Sequence, residues 1–268
     1  VEMLDYMELN CFIQLMQLSI AQNDSVKILN TKKMKVEIWS DVMCPFCYIG
    51  KRKFESALSQ FQNGDKIEVV WKSYQLDPTL VTNPELNSVA HLAESKGWSL
   101  EHAQKMTKYV TEMAKESGLT YHLENAVVAN SFDAHRLSNI TKKYGKQDAL
   151  EERLFKAYFT EGKNTADHTV LLDLGVAVGI DAEEIKTMLQ SNLYADAVQQ
   201  DIYEARQVGV RGVPFFVMGN KYDVSGAQDS KVFLRNLEKA FEEWEKENTK
   251  SALKIKDGKV CTPDGKCD

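Results

Sequence analysis

Residues 34–61 read MKVEIWSDVMCPFCYIGKRKFESALSQF, and this stretch decides the fold. Apolar side chains alternate along its first seven residues, which predicts a strand. From Tyr48 onward apolar residues recur at helical spacing, so the tetrapeptide 44–47 lies where a strand ends and a helix begins. A second strand is predicted over 66–74, after the turn residues 63–65, and together these elements form a right-handed βαβ unit.

The following part of the chain, as far as residue 208, has the pattern of helices. Helices are predicted over 84–97, 99–118, 130–145, 147–162, 167–179, 181–191 and 194–208. Strand patterns return at 213–218 and 221–226, joined by the turn Gly219-Asn220. A final helix is predicted over 230–248.

These patterns predict an α/β fold in which a large all-helical domain is inserted between the second and third strands. Residues 34–78 and 209–248 form the α/β domain in this prediction, and residues 79–208 form the inserted domain. We expect residues 1–33 to be an extension outside the fold, although a short amphipathic helix that docks elsewhere is an alternative. Residues 249–268 are rich in Lys, Asp and Gly, which predicts a flexible tail.

The composition is that of a soluble globular protein of one large or two smaller domains. The chain has 268 residues, a net charge of −6 and 43% hydrophobic residues. No apolar run approaches the roughly 18 residues that a spanning helix needs, so we expect no membrane partner. Lysines are scattered among carboxylates, which predicts no nucleic-acid partner. The extension carries Glu2, Asp5 and Glu8 where a secretory signal would be basic, so we expect a cytoplasmic protein.

We expect some of the cysteines to be the reactive residues of this protein. Five are too few for a disulfide-stapled secreted scaffold of this length. In Cys44-Pro45-Phe46-Cys47, unpaired backbone N–H groups and the positive end of the helix dipole favour a thiolate at Cys44. Cys47 lies one turn later on the same face, so we expect Cys44 to form a mixed disulfide with a substrate and Cys47 to resolve it. Pro45 suits the first helical turn, and Phe46 screens the sulfur from water.

Two other interpretations of this cysteine pair are a zinc site and inert thiols. A zinc site needs two further ligands at similar spacing, and the sequence has no second Cys-x-x-Cys and no His pair. We therefore predict no metal site.

Val213-Pro214 runs directly into the third predicted strand. A proline at the head of a strand is sterically allowed without any further role. The alternative is a cis peptide that places a backbone edge beside Cys44, where an extended substrate chain can pair with it.

Three motifs together resemble the DsbA family of thiol-disulfide oxidoreductases, and more narrowly its FrnE-like branch. They are SDVMCPFCYIGK at 40–51, NSFDAHRL at 130–137 and GVRGVPFFV at 209–217. The resemblance extends over residues 34–246. It implies a thioredoxin-like fold with an inserted helical domain, oxidoreductase or isomerase activity, and a cis peptide before Pro214.

The resemblance also implies that the stretch around Asn130 and His135 packs over or near the active face. The expected substrate-binding residues are Pro45, Phe46, Val213, Asn130 and His135. The alternative is structural, because Asp133 and Arg136 are spaced to pair on a helix and His135 can be a satisfied interface residue.

Related hydroxychromene-carboxylate isomerases and kappa-class glutathione transferases use a serine where Cys44 stands and bind glutathione. Because this chain keeps both cysteines, we do not expect glutathione conjugation to be its main activity. We expect no tightly bound cofactor, although the frame could still hold glutathione as a substrate or reductant. Some FrnE-like proteins carry a C-terminal cysteine pair, which suggests auxiliary redox roles for Cys261 and Cys267; two ordinary thiols are the alternative.

The expected partners are protein or small-molecule thiols and disulfides, and the expected state is a monomer or homodimer. The rival functions are a glutathione-dependent isomerase or transferase and a chaperone-like binding module.

Overall fold

The computed structural model describes residues 32–249. Its four strands are β1 (Met34–Ser40), β2 (Ile67–Ser73), β3 (Phe215–Met218) and β4 (Tyr222–Ser225). They form one sheet in the order β2-β1-β3-β4. β1 and β2 are parallel, whereas β3 pairs antiparallel with both β1 and β4. Ile38 lies at the centre of the sheet, opposite Trp71 on one side and Phe216 on the other.

Nine α-helices occur within residues 32–249. They are α1 (Pro45–Gln60), α2 (Ser88–Lys96), α3 (Leu100–Glu116), α4 (Phe132–Lys142), α5 (Gln147–Phe159), α6 (His168–Ala177), α7 (Ala182–Leu189), α8 (Ala195–Gln207) and α9 (Ser230–Thr249). α1 and α9 pack against each other, with Phe54 of α1 contacting the rings of Phe216 and Phe233. Helices α2 to α8 all lie between β2 and β3 in the chain. The structure thus confirms the predicted α/β fold with a helical insertion.

The division of the chain into domains at residues 79 and 208 stays a prediction, because the described residues from Met34 onward belong to one compact unit. The extension, residues 1–33, and the tail, residues 249–268, fall almost entirely outside the described residues. No helix in the described part of the chain is both long and apolar enough to cross a bilayer.

Two predicted helix starts are wrong, and asparagine is the reason in both. The helix predicted from residue 84 begins at Ser88, where the side chain of Asn87 accepts a hydrogen bond from the N–H of Ala90. The helix predicted from Asn130 begins at Phe132, because the Asn130 side chain accepts the Phe132 N–H at 2.9 Å. Asparagine side chains offer the backbone such bonds in place of a further helical turn.

The inserted helices cover the outer edge of β2. The Gln147 side chain of α5 donates to the carbonyl of Trp71 and accepts its N–H, both at 3.0 Å. On α8, a carboxylate oxygen of Asp201 accepts the N–H of Ser73 at 3.0 Å. These side chains pair with backbone groups that an edge strand would otherwise leave open. The insertion therefore binds directly to the outer strand of the sheet.

The substitution Gln147→Leu tests this edge cover. It leaves the buried N–H and carbonyl of Trp71 without partners, so we expect the free energy of unfolding to fall by about 1–3 kcal/mol. Urea denaturation measures the change. Gln200→Leu on the exposed face of α8 is the matched control and is expected to stay within about 0.5 kcal/mol of the parent. Equal losses in both variants would contradict the assignment.

Candidate active site

Cys44 is the residue that immediately precedes α1. Its backbone is extended, with φ −88° and ψ 111°, and Pro45 is the first helical residue. The N–H of Cys44 donates to the carbonyl of Asp41 at 3.0 Å, and its own carbonyl accepts the N–H of Cys47 at 2.9 Å. The prediction that the motif lies where a strand gives way to a helix is confirmed.

Both cysteines of the motif are free thiols, and the protein surrounds them. Cys44 is 3% exposed and Cys47 is fully buried. Burial raises the pKa of the Cys47 thiol well above its ordinary value, and the neighbouring Cys44 raises it further. The Ser40 hydroxyl and the N–H of Asp41 act in the opposite direction without outweighing burial. Cys47 therefore holds its proton behind Cys44.

The thiol of Cys44 faces the peptide that precedes Pro214. Its S–H donates to the carbonyl of Val213 with a sulfur–oxygen distance of 3.4 Å, although 169 residues separate them in the chain. The Val213-Pro214 peptide is cis, which confirms the conformation implied by the resemblance. The structure thus brings together three of the predicted residues, Cys44, Val213 and Pro214.

Gly50 allows α1 to lie against the ring of Pro214. A Cβ atom at this position would lie 2.9 Å from the Cγ of Pro214 and 3.5 Å from the ring of Phe216. A separation of 2.9 Å is shorter than packed carbon atoms allow, so the first turns of α1 approach Pro214 only because residue 50 has no side chain.

Asp41 organises the turn that leads into the motif. Its carboxylate is fully buried and accepts the N–H of Leu76 at 2.8 Å and, more weakly, that of Met43 at 3.4 Å. One side chain therefore ties the reactive turn to the segment that follows β2.

His135 of α4 lies beneath this turn. Its ring is 3% exposed, and its Nε2 is 3.5 Å from a carboxylate oxygen of Asp41. Burial by itself would lower the pKa of His135, but the carboxylate of Asp41 and, after it, that of Glu151 raise it, and the net direction is upward. The surrounding protein encloses the ring, and the predicted substrate contact of His135 stays a prediction.

The predicted substrate contact of Asn130 likewise stays a prediction. Its side chain donates to the carbonyl of Leu80 at 2.8 Å and its N–H donates to the Thr82 hydroxyl, so it holds the loop after β2. It lines an open cavity with Gln75, Asp133 and Gln199, whose wall includes neither Cys44 nor Cys47. The amide therefore has a structural use that explains its position without a substrate.

Arg136 and Asp133 pair with each other on α4, as the structural alternative in the sequence analysis proposes. Their side chains pair at 2.7 Å, and Arg136 also donates to the carbonyl of Leu193 at 2.9 Å and to those of Met188 and Ser191. Arg136 thus fastens the segment between α7 and α8 to α4.

Tyr121 is a site residue that the sequence analysis missed. Its hydroxyl donates to the carbonyl of Pro45 at 2.7 Å, and its ring stacks on those of Tyr48 and Phe159. Burial is the main cause that raises the pKa of Tyr121. It lies between two helices, where periodicity gives no signal for an individual side chain.

The remaining cysteines, Cys11, Cys261 and Cys267, lie outside the described residues. The auxiliary redox roles of Cys261 and Cys267 stay predictions.

Residues 35–238 match the family model of the DSBA-like thioredoxin domain. The chain belongs to this family. The predicted family and its thioredoxin-like fold are therefore confirmed, and membership supports an enzyme of the thiol-disulfide oxidoreductase kind.

The chain is similar to one curated protein and to several solved structures. The chain is 28% identical to YwbO of Bacillus subtilis strain 168 over 204 residues, which are 75% of this chain and 94% of that protein. A probable DsbA oxidoreductase of Streptomyces coelicolor has a TM-score of 0.74 and 38% identity, covering 88% of this chain and 98% of its own. The cytosolic disulfide reductase DsbM of Pseudomonas aeruginosa has a TM-score of 0.53 and 15% identity, covering 81% and 100%, and shows the shared fold alone.

The substitution Gly50→Ala tests the approach of α1 to Pro214. In an unobstructed helix this change stabilises by about 0.5–1 kcal/mol, but here the added methyl meets the proline ring. We expect instead a loss of about 1–3 kcal/mol in the free energy of unfolding, measured by denaturant titration. Ser59→Ala on the exposed side of α1 should change stability by less than about 0.5 kcal/mol. A more stable Gly50→Ala variant would show that the packing is looser than described.

Proposed function

We propose that Cys44 and Cys47 are the redox-active pair of this DsbA-like protein, with Cys44 as the nucleophile and Cys47 as the resolving thiol. The observation that carries the proposal is the placement of the Cys44 thiol at the start of α1, 3.4 Å from the carbonyl of Val213. Helix N-termini favour thiolates, and a thiolate is the form that attacks disulfides. Behind it, the raised pKa keeps Cys47 protonated until it is needed.

The reaction on a substrate disulfide has two exchanges. The Cys44 thiolate attacks one substrate sulfur, the substrate S–S bond breaks, and the other substrate sulfur leaves as a thiolate. Cys47 then loses its proton and attacks the sulfur of Cys44, which releases the second substrate thiolate and forms a Cys44–Cys47 disulfide. The substrate gains two electrons and the protein loses two. The same steps in reverse oxidise a substrate dithiol.

Substrate reaches Cys44 from the side of the Val213-Pro214 peptide in this proposal. Cys44 is nearly enclosed, whereas Phe46 and Val213 are only partly buried. We therefore keep Pro45, Phe46 and Val213 as the proposed substrate-contacting residues. Protein disulfides and small disulfides, including that of glutathione, are the proposed substrates.

Single cysteine variants of the full chain test the proposal. With an insulin disulfide as substrate and dithiothreitol as reductant, Cys44→Ser should lower turnover at least about a hundredfold, because a hydroxyl cannot replace the thiolate. When it is incubated with the substrate disulfide in the absence of dithiothreitol, Cys47→Ser should instead accumulate a mixed disulfide at Cys44, visible as an added substrate mass. Cys11→Ser is the control and should keep full turnover.

Two results would contradict the proposal. One is turnover in Cys44→Ser at the parent rate. The other is glutathione-dependent isomerase or transferase activity that survives loss of both Cys44 and Cys47, which would favour the rival enzyme class.

A further inference from the structure

The proposed mechanism leaves one buried charged pair without a role. Asp41 is fully buried and His135 is 3% exposed, and 3.5 Å separates the carboxylate from the imidazole. A buried carboxylate is costly unless an opposite charge or hydrogen bonds compensate it. The pair therefore needs an explanation in terms of what surrounds it.

Asp41 is attached to the reactive turn at several points. Its backbone carbonyl accepts the N–H of Cys44 at 3.0 Å, and its carboxylate accepts the N–H groups of Met43 and Leu76. The negative charge of Asp41 thus lies within one turn of the nucleophile. A change in that charge acts on Cys44 both through the field and through the geometry of the turn.

His135 comes from the inserted helices. Its carbonyl accepts the amide of Asn139, which also donates to the hydroxyl of Ser73 on β2, so the main chain of His135 is fixed against the sheet. Its Nε2 has no hydrogen-bond partner among the described residues. Charge, rather than a well-formed hydrogen bond, is therefore what joins the ring to Asp41.

The other charged and titratable groups around the pair are acidic or have partners of their own, so His135 is the cation that faces Asp41. From α5, burial raises the pKa of Glu151, whose carboxylate accepts the Ser138 hydroxyl at 2.6 Å. Also from α5, burial and the charge of Asp41 raise the pKa of Tyr158.

Charged groups on the neighbouring elements have other partners. Lys51 of α1 pairs with Glu55, Asp148 and Glu152. Asp201 of α8 pairs with Lys72. From the segment after β2, the carbonyl of Tyr74 adds a further favourable contact for a protonated His135.

We infer that His135 is a positioning residue for the proposed disulfide chemistry: through its ion pair with Asp41 it neutralises the negative charge close to Cys44. The inference rests on the proposed function of Cys44. In this inference the inserted helices have a direct electrostatic effect on the reactivity of Cys44.

Substitutions of His135 and of Asp41 are expected to change the reactivity of Cys44 in opposite directions, which distinguishes this role from simple packing. Removing the imidazolium leaves an uncompensated carboxylate, which disfavours a thiolate at Cys44. Removing the carboxylate takes away that repulsion and favours the thiolate. A purely structural role would lower reactivity in both cases.

The test uses the full reduced chain and measures the rate of Cys44 alkylation by iodoacetamide near neutral pH. His135→Gln should slow alkylation about three- to tenfold, Asp41→Asn should not slow it, and the double variant should return toward the parent rate. His168→Gln is the matched control, because it removes an exposed imidazole that lies 2.9 Å from the carboxylate of Asp133. Its rate should equal that of the parent.

A second measurement uses the parent chain, so it tests the inference even if the Asp41 or His135 variants fail to fold. The imidazole proton resonances of the parent chain are followed against pH with Cys44 and Cys47 reduced and then oxidised. Coupling is reciprocal, so a thiolate that benefits from the imidazolium also raises the titration midpoint of His135. The midpoint of His135 should therefore lie above its usual 6.5 and should be higher in the reduced than in the oxidised protein. The midpoint of His168 should be the same in both.

Equal midpoints of His135 in the two redox states, or slower alkylation in both single variants, would overturn the inference. These outcomes are separate from a failure of the proposed function, which would appear as a parent chain that forms no mixed disulfide at Cys44.

Discussion

The close approach of α1 to the Val213-Pro214 peptide is the constraint on which the candidate site depends. Because Gly50 has no side chain, the ring of Pro214 lies directly on the helix, and the carbonyl of Val213 reaches the thiol of Cys44. A helix N-terminus alone favours a thiolate. The Val213 carbonyl lies beside that thiol, and Cys47 is fully buried.

The inserted helices complete this site. Gln147 and Asp201 pair with the edge of β2, Tyr121 holds the first carbonyl of α1, and His135 faces Asp41. Each contact joins the insertion to a segment that positions the cysteines. The fold therefore places the proposed redox pair on the α/β frame and much of the buried polar support around it between β2 and β3 in the chain.

Local patterns in the sequence were enough to predict the order of the elements and the position of the cysteine motif, because alternation, helical spacing and turn residues act over a few neighbours. The resemblance added the cis peptide before Pro214. The long-range contacts of Tyr121 and the pairing of His135 with Asp41 join distant segments and leave no periodic trace. For the same reason no local pattern encodes the hydrogen bonds of Asn130 or the burial of His135, and the substrate contacts proposed for both residues stay predictions.

The central claim is that Cys44 and Cys47 join and separate reversibly. Intact-mass and peptide-mapping measurements on the full chain, equilibrated in glutathione buffers of graded ratio, test it most directly. The account predicts a loss of two hydrogens that maps to the peptide containing Cys44 and Cys47 and reverses when the buffer becomes more reducing. A chain in which this peptide keeps both thiols across the whole series, or in which the oxidation maps only to other cysteines, would contradict it.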